Sequence, residues 1–171
     1  MLGFTAFAQQ NIDLKLANQY YNVKAYDKAA IYYQKVVNKT QASIHYERLL
    51  DCYIQLEEYK AGEKLIKRQQ KRTPSQLSLY ADLGNLYDLA NQTSKSKQAY
   101  GKGLKLLTPK NQQIIDLANG YLKHKQLDYA ISTYQKGRKL LQGTYPFNFE
   151  LAQVYHIQGN TEAMINEYLD L

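Results

Sequence analysis

The chain has 171 residues, is 44% apolar, and carries 22 Lys and Arg against 15 Asp and Glu, a net charge of +7. One cysteine, Cys52, excludes a disulfide framework and a cysteine zinc site, and no apolar run reaches the roughly 18 residues of a membrane-spanning helix. Tryptophan is absent, so 17 tyrosines supply the large packing side chains.

In chain order, residues 1–8 come first. They are apolar and small, end in Ala6-Phe7-Ala8, and give way abruptly to Gln9-Gln10-Asn11. The small-x-small ending predicts the remnant of a secretory signal with mature protein from Gln9, hence an exported or periplasmic location. The alternative is a cytoplasmic protein with an apolar leading segment.

From residue 9 onward the tyrosines recur. Tyr20, Tyr53, Tyr87, Tyr121 and Tyr155 follow one another at 33, 34, 34 and 34 residues. Leu16, Leu49, Leu83, Leu117 and Leu151 each precede one of them by four positions, which places both columns on one face of a helix. Thirteen positions after each tyrosine stands Tyr33, Ile66, Tyr100, Tyr134 or Tyr168. The spacing predicts five helix pairs, with first helices near 10–22, 43–55, 77–89, 111–123 and 145–157. The second helices fall near 26–39, 59–72, 93–106, 127–140 and 161–171. The repeats then run about 10–42, 43–76, 77–110, 111–144 and 145–171, the last truncated. Small residues recur after the leucines (Ala17, Gly84, Ala118, Ala152) and early in the second helices (Ala29, Gly62, Ser96, Ala130), predicting close helix crossings. Gly103 and Gly137 extend that expectation to backbone contact. Thr73-Pro74-Ser75, Thr108-Pro109, Gly143-Thr144-Tyr145-Pro146 and Gly159-Asn160-Thr161 read as turns with helix N-caps. The final pair would leave Met164, Ile165, Tyr168 and Leu169 unstacked, which predicts either a fragment of a longer protein or self-association through this end.

Tyr80-x2-Leu83-Gly84-x2-Tyr87 followed by Ser96-x3-Tyr100, and Ile114-x2-Leu117-Ala118-x2-Tyr121 followed by Ala130-x3-Tyr134, carry a family resemblance. Across residues 10–171 the chain resembles the tetratricopeptide repeat proteins, exported bacterial members among them, departing at Asp13, where the family has an aromatic residue. The resemblance implies an all-α, right-handed solenoid of antiparallel helix pairs. It also implies a concave groove lined by the first helices and a convex back formed by the second.

Charge divides along the same lines. The first helices total −4 and the second +10, so a basic back and a slightly acidic groove are expected. The residues two before each tyrosine of the period, Asn18, Asp51, Asn85, Asn119 and Gln153, form a hydrogen-bonding column on the groove side. Amides offer both donor and acceptor, so such a column can hold an extended peptide backbone without reading its side chains. Ile54, Ile115, Leu122 and Phe149, with Leu14 and Ile157, are its apolar companions. These same residues also read simply as a wet polar surface. Groove cations are too few for a terminal-carboxylate clamp. On the back, Lys67, Arg68, Lys71, Lys102 and Lys136 form a basic surface. It reads either as a solvated helix face or as a contact for nucleic acid or anionic membrane. His45, His124 and His156 have no metal-ligand spacing, and no phosphate loop or nucleophile elbow is present.

The sequence therefore predicts a non-enzymatic protein-interaction scaffold that binds a peptide or partner protein in its groove and needs no cofactor or metal. The rivals are a basic nucleic-acid or membrane module and the non-catalytic arm of a larger enzyme.

Overall fold

The computed structural model describes residues 2–40, 43–142 and 147–170, with side chains described from residue 12 and, after the first gap, from residue 44. The side chains of Ala6-Phe7-Ala8 and the whole turn Gly143–Pro146 lie outside the described residues. Ten α-helices, and no strand, occur among the described residues: α1 (Leu2–Asn22), α2 (Tyr26–Lys39), α3 (Ser43–Gln55), α4 (Tyr59–Arg72), α5 (Ser78–Leu89), α6 (Thr93–Lys105), α7 (Asn111–Lys123), α8 (Leu127–Leu140), α9 (Asn148–Gln158) and α10 (Thr161–Leu169). Most boundaries lie within one or two residues of the periodic reading. The largest difference is α1, which is helical from Leu2 rather than from residue 10.

The chain separates into two compact units, Met1–Leu65 and Ile66–Leu171. In the first unit α1 packs on α2 and α2 on α3. α2 buries Ala29, Ala30, Tyr33, Val36 and Val37, a spacing of one, three, three and one that makes a single helix stripe. On the two helices that pack against α2, Ala17 of α1 and Leu49 and Cys52 of α3 are fully buried as well. Burial, with the nearby Asp51 charge adding to it, pushes the Cys52 thiol up to about 12, so the side chain is a packing residue and not a nucleophile.

In the second unit α5 pairs with α6, α7 with α8 and α9 with α10, while α7 stacks on α5 and α8 on α6. This is the tetratricopeptide-like, all-α arrangement of stacked helix hairpins. α7 buries Ile114, Leu117, Ala118 and Tyr121, and α8 buries Ala130, Ile131, Tyr134 and Gly137. Together with Tyr100, Phe147 and Leu151 these make one continuous core. Each buried side chain of this size contributes about 1.5–3 kcal/mol. The small residues work against side chains more than against backbone. A methyl on Gly103 would meet the Tyr121 hydroxyl at 2.9 Å, and one on Gly137 would meet Ile114 at 2.6 Å. α10 buries no residue, and Ile165, Tyr168 and Leu169 are exposed.

The turn inside each hairpin has one geometry. Lys24, Glu57, Asn91, Lys125 and Gly159 all adopt left-handed φ, between 56° and 79°. In each case the next residue's amide donates back to a tyrosine of the period: Ala25 to Tyr20, Glu58 to Tyr53, Gln92 to Tyr87, Gln126 to Tyr121 and Asn160 to Tyr155, at 2.8–2.9 Å. This six-to-one closure is the Schellman ending of a helix. Of the expected side-chain caps, the Asn160 carbonyl accepts the amide of Ala163 at 3.1 Å. Thr73 instead turns its hydroxyl back to the Gln69 carbonyl at 3.1 Å, and Thr108 reaches forward to Gln113 at 2.8 Å.

Four tyrosines make the fold sensitive to alkaline pH. Burial, reinforced by Asp51, raises Tyr21 to about 12, and burial likewise raises Tyr33, Tyr100 and Tyr121. An acid that holds its proton more tightly when folded stabilises the fold fully below its unfolded pKa and loses that contribution as pH climbs through the folded one. The urea midpoint should therefore be flat through neutral pH and fall above about pH 10, where unfolded tyrosine ionises. A midpoint that rises above that pH would contradict these assignments.

Candidate functional site

The hydrogen-bonding column divides between the two units. In the first unit, α1 and α3 hold Asn18 and Asp51, and both are engaged by tyrosines of the same unit. The Tyr33 hydroxyl donates to Asn18 Oδ1 at 2.6 Å, and the Tyr21 hydroxyl donates to Asp51 Oδ2. Arg48 lies 4.3 Å over the Tyr21 ring and completes this cluster. Asp51 is thus part of an internal network as well as a position on the helix face. Ile54 is half-buried beside it.

In the second unit, Asn85 on α5 is half-buried, while Asn119 on α7 and Gln153 on α9 are exposed. α5 and α7 pack directly on one another, so Asn85 and Asn119 occupy equivalent positions on adjacent helices. Ile115 and Leu122 are partly buried against the core, whereas Phe149 presents its ring to solvent at 53% exposure.

The carboxylates of this face are committed to the fold. Asp82, although nearly buried, accepts from His124 Nε2 at 2.8 Å and lies 3.7 Å from Lys123 Nζ. Asp88 accepts the Tyr100 hydroxyl at 2.8 Å. In the first unit Asp13, also buried, is approached by Lys35 and Lys39 at 3.9 and 3.8 Å, so the departure from the aromatic pattern places a charge inside with cations turned to meet it. In the sequence His124 has no metal-ligand spacing, and nothing there points to its hydrogen-bond partner. Its partner lies 42 residues away, one repeat earlier and on the neighbouring first helix, where only the stacking brings them together.

The basic residues fare unequally. Lys67, Lys71 and Lys102 are exposed and Arg68 is half-buried. Lys136 is half-buried too, and its ammonium donates to the Leu104 carbonyl at 2.8 Å and approaches that of Lys105 at 3.4 Å. It caps the end of α6, where a cation complements the helix dipole.

An open hollow of about 300 Å³ in the second unit, lined by residues of α4, α5 and α6, has no counterpart in the sequence pattern. Its cations are Lys67, Lys95 and Lys102, and its rings are Tyr80 and Tyr87. Lys95 Nζ stands 5.5 Å from the Tyr87 ring and Lys102 Nζ 5.6 Å from the Tyr80 ring. Among the described residues no group of three or more His, Cys, Asp and Glu side chains could hold a metal ion, and no helix is long and apolar enough to cross a membrane.

No protein-family model matches the sequence, and no curated protein matches it. Among solved structures, the chain is similar to a MamA protein at 16% identity and a TM-score of 0.47, covering 93% of this chain and 87% of that one. It is also similar to MamA residues 41 to the end from Desulfovibrio magneticus RS-1, at 10% identity and a TM-score of 0.48, covering 94% and 92%. A further MamA structure matches at 16% identity and a TM-score of 0.45, covering 90% of each chain. These similarities lie below the level at which a shared function follows, and the fold rests on the helix pairing described above.

Proposed function

We propose that the protein is a non-catalytic scaffold that holds an extended peptide of a partner protein against its first helices. The observation that carries this reading is the pair Asn85 and Asn119, amides at the same repeat position on directly packed helices α5 and α7. An amide pair with that recurrence offers a donor and an acceptor to successive peptide groups. The neighbouring carboxylates Asp82 and Asp88 already have partners within the fold, so neutral peptides are expected, with weak dependence on salt.

The test is selection of a binder from a random peptide library against the intact chain, followed by titration of that peptide. Asn85→Ala combined with Asn119→Ala should weaken binding by about 1–3 kcal/mol, from the loss of two neutral hydrogen bonds, with the melting temperature nearly unchanged. If the double change leaves affinity intact while Lys67→Gln, Arg68→Gln and Lys71→Gln abolish it, the partner contacts the basic second helices and this reading is wrong.

A further inference from the structure

We propose that the outer face of α10 docks on a stripe of lysines along α4 of a second copy of the chain. The inference is independent of the peptide reading, since neither helix carries Asn85 or Asn119. α10 packs on α9. Its residues Ala163, Met164 and Glu167 are half-buried, and Glu167 accepts from Arg138 of α8. The opposite side of α10 carries Ile165 and Leu169, four residues apart and both exposed, Leu169 at 78%, with Glu162 and Asp170 at the two ends. Neither Glu162 nor Asp170 makes an ion pair among the described residues. Adjoining apolar side chains left in water on a helix that buries no residue are an unused contact surface.

Charge names the occupant. From residue 140 onward the sequence has four carboxylates, Glu150, Glu162, Glu167 and Asp170, and no Lys or Arg, in a chain of net charge +7. An acidic face with an apolar centre calls for a basic one, and the chain supplies it. On α4, Lys60, Lys64, Lys67 and Lys71 recur at spacings of four, three and four, which lines them along one side of the helix, and all four are exposed. Gly62, Leu65 and Ile66, on the other side, are buried. Lys67 already interacts within the fold, so the docking rests on Lys60, Lys64 and Lys71, which make no ion pair among the described residues. Like charges three and four residues apart repel one another until an acidic partner arrives. The dimensions agree. At about 1.5 Å per residue, Glu162 and Asp170 lie about 12 Å apart along α10, and Lys64 and Lys71 about 10 Å apart along α4. The apolar stems of the lysines cover Ile165 and Leu169 while their ammonium groups reach the carboxylates. Both faces are open to solvent within one chain, so their contact belongs to two copies. One helix on another is a small interface, which makes the association weak and sensitive to salt.

Sedimentation velocity of the full chain, at concentrations up to about 1 mM, tests this. Species larger than the monomer should build up in about 0.02 M salt and dissociate in about 0.5 M, where charges are screened within a few ångströms. Glu162→Lys with Asp170→Lys should leave a monomer, and so should Lys64→Glu with Lys71→Glu, with the far-UV circular dichroism unchanged in both. The two variants mixed in equal amounts should associate again, because the reversed α10 of one fits the reversed α4 of the other. Misfolded chains would not recover in this way. Ile165→Ser with Leu169→Ser should weaken association by at least about tenfold. Association that persists in either charge-reversed variant alone would overturn the inference, as would failure of the mixture to associate. A wild-type chain that stays monomeric at low salt overturns it too, even if its acidic face takes up a basic helix from another protein.

Discussion

Replacing Tyr121 with alanine should destabilise the second unit by about 3–5 kcal/mol, the range for removing a large side chain from a packed interior. The ring is fully buried on α7 and lies 5.8 Å from Tyr100 and 5.4 Å from Tyr129. Its hydroxyl donates to the Tyr100 carbonyl at 2.5 Å, so one side chain both fills the space between α5, α6 and α8 and ties α7 to α6. Tyr121→Phe keeps the ring and should cost only about 1 kcal/mol. Tyr155, the same repeat position on α9, is half-buried, and its hydroxyl accepts from Gln135 at 3.1 Å near the surface. Tyr155→Ala should therefore cost clearly less, about 1.5–3 kcal/mol. Urea denaturation of the three variants measures this ordering; equal losses at positions 121 and 155 would mean that the repeat period, and not local burial, sets the cost.

The second large effect compares two glycines. A methyl group added at Gly84 would overlap the ring of Tyr100, whereas one added at Gly101 would meet nothing within 4 Å. Tyr100 has little room to retreat. Its hydroxyl is held by Asp88 at 2.8 Å and its ring is in contact with Tyr121 and Tyr129. Gly84→Ala should introduce about 3 kcal/mol of strain, offset by about 1 kcal/mol of better helix propensity, for a net loss near 2 kcal/mol. Gly101→Ala carries the propensity gain alone and should stabilise by about 1 kcal/mol. The same chemical change thus moves the denaturation midpoint in opposite directions at two sites only 17 residues apart in sequence. Two shifts of the same sign would show that Tyr100 is free to move aside.

Helix existence and extent were legible because the repeat supplied five independent readings of one pattern. An unclear boundary in one unit could be set by the others; the start of α1 could not, because the segment from Leu2 lies outside the period. The leucine and tyrosine columns then predicted the core, and Leu49, Leu117, Leu151 and Tyr121 are fully buried. What the pattern could not show were features that differ from unit to unit. The buried Asp13 with Lys35 and Lys39 belongs to α1 and α2 alone, and the contact of Asp82 with His124 depends on a histidine that recurs in no other repeat, although an acid recurs at the position of Asp82 as Asp116 and Glu150. Lys136 belongs to the expected basic surface yet reaches back to α6 carbonyls, because repeat position fixes a direction from the helix axis and not what a flexible side chain meets there. The cavity escaped notice for a related reason. It combines Lys67 and Lys102, both of the expected basic surface, with Lys95, which is not part of it. The left-handed turn residues were missed although they keep the period, since Lys, Glu, Asn, Lys and Gly share no chemistry; only Gly159 announces the conformation.

That repeated turn bears on how the chain acquires its structure in time. Each helix pair closes through a bond spanning five residues, from a tyrosine carbonyl to the amide just past the left-handed residue. The loop entropy of joining the two helices is consequently small, and the contacts that define a hairpin are local. Chains dominated by local contacts fold in microseconds to milliseconds, and stacked repeats can nucleate at any pair and grow outward. The two pairs α5–α6 and α7–α8 together are the natural starting point, because Tyr121 of α7 packs at once on Tyr100 of α6 and on Tyr129 of α8. α10, which buries nothing, would join last and leave first, so fraying should proceed inward from that end while the centre of the second unit stays closed.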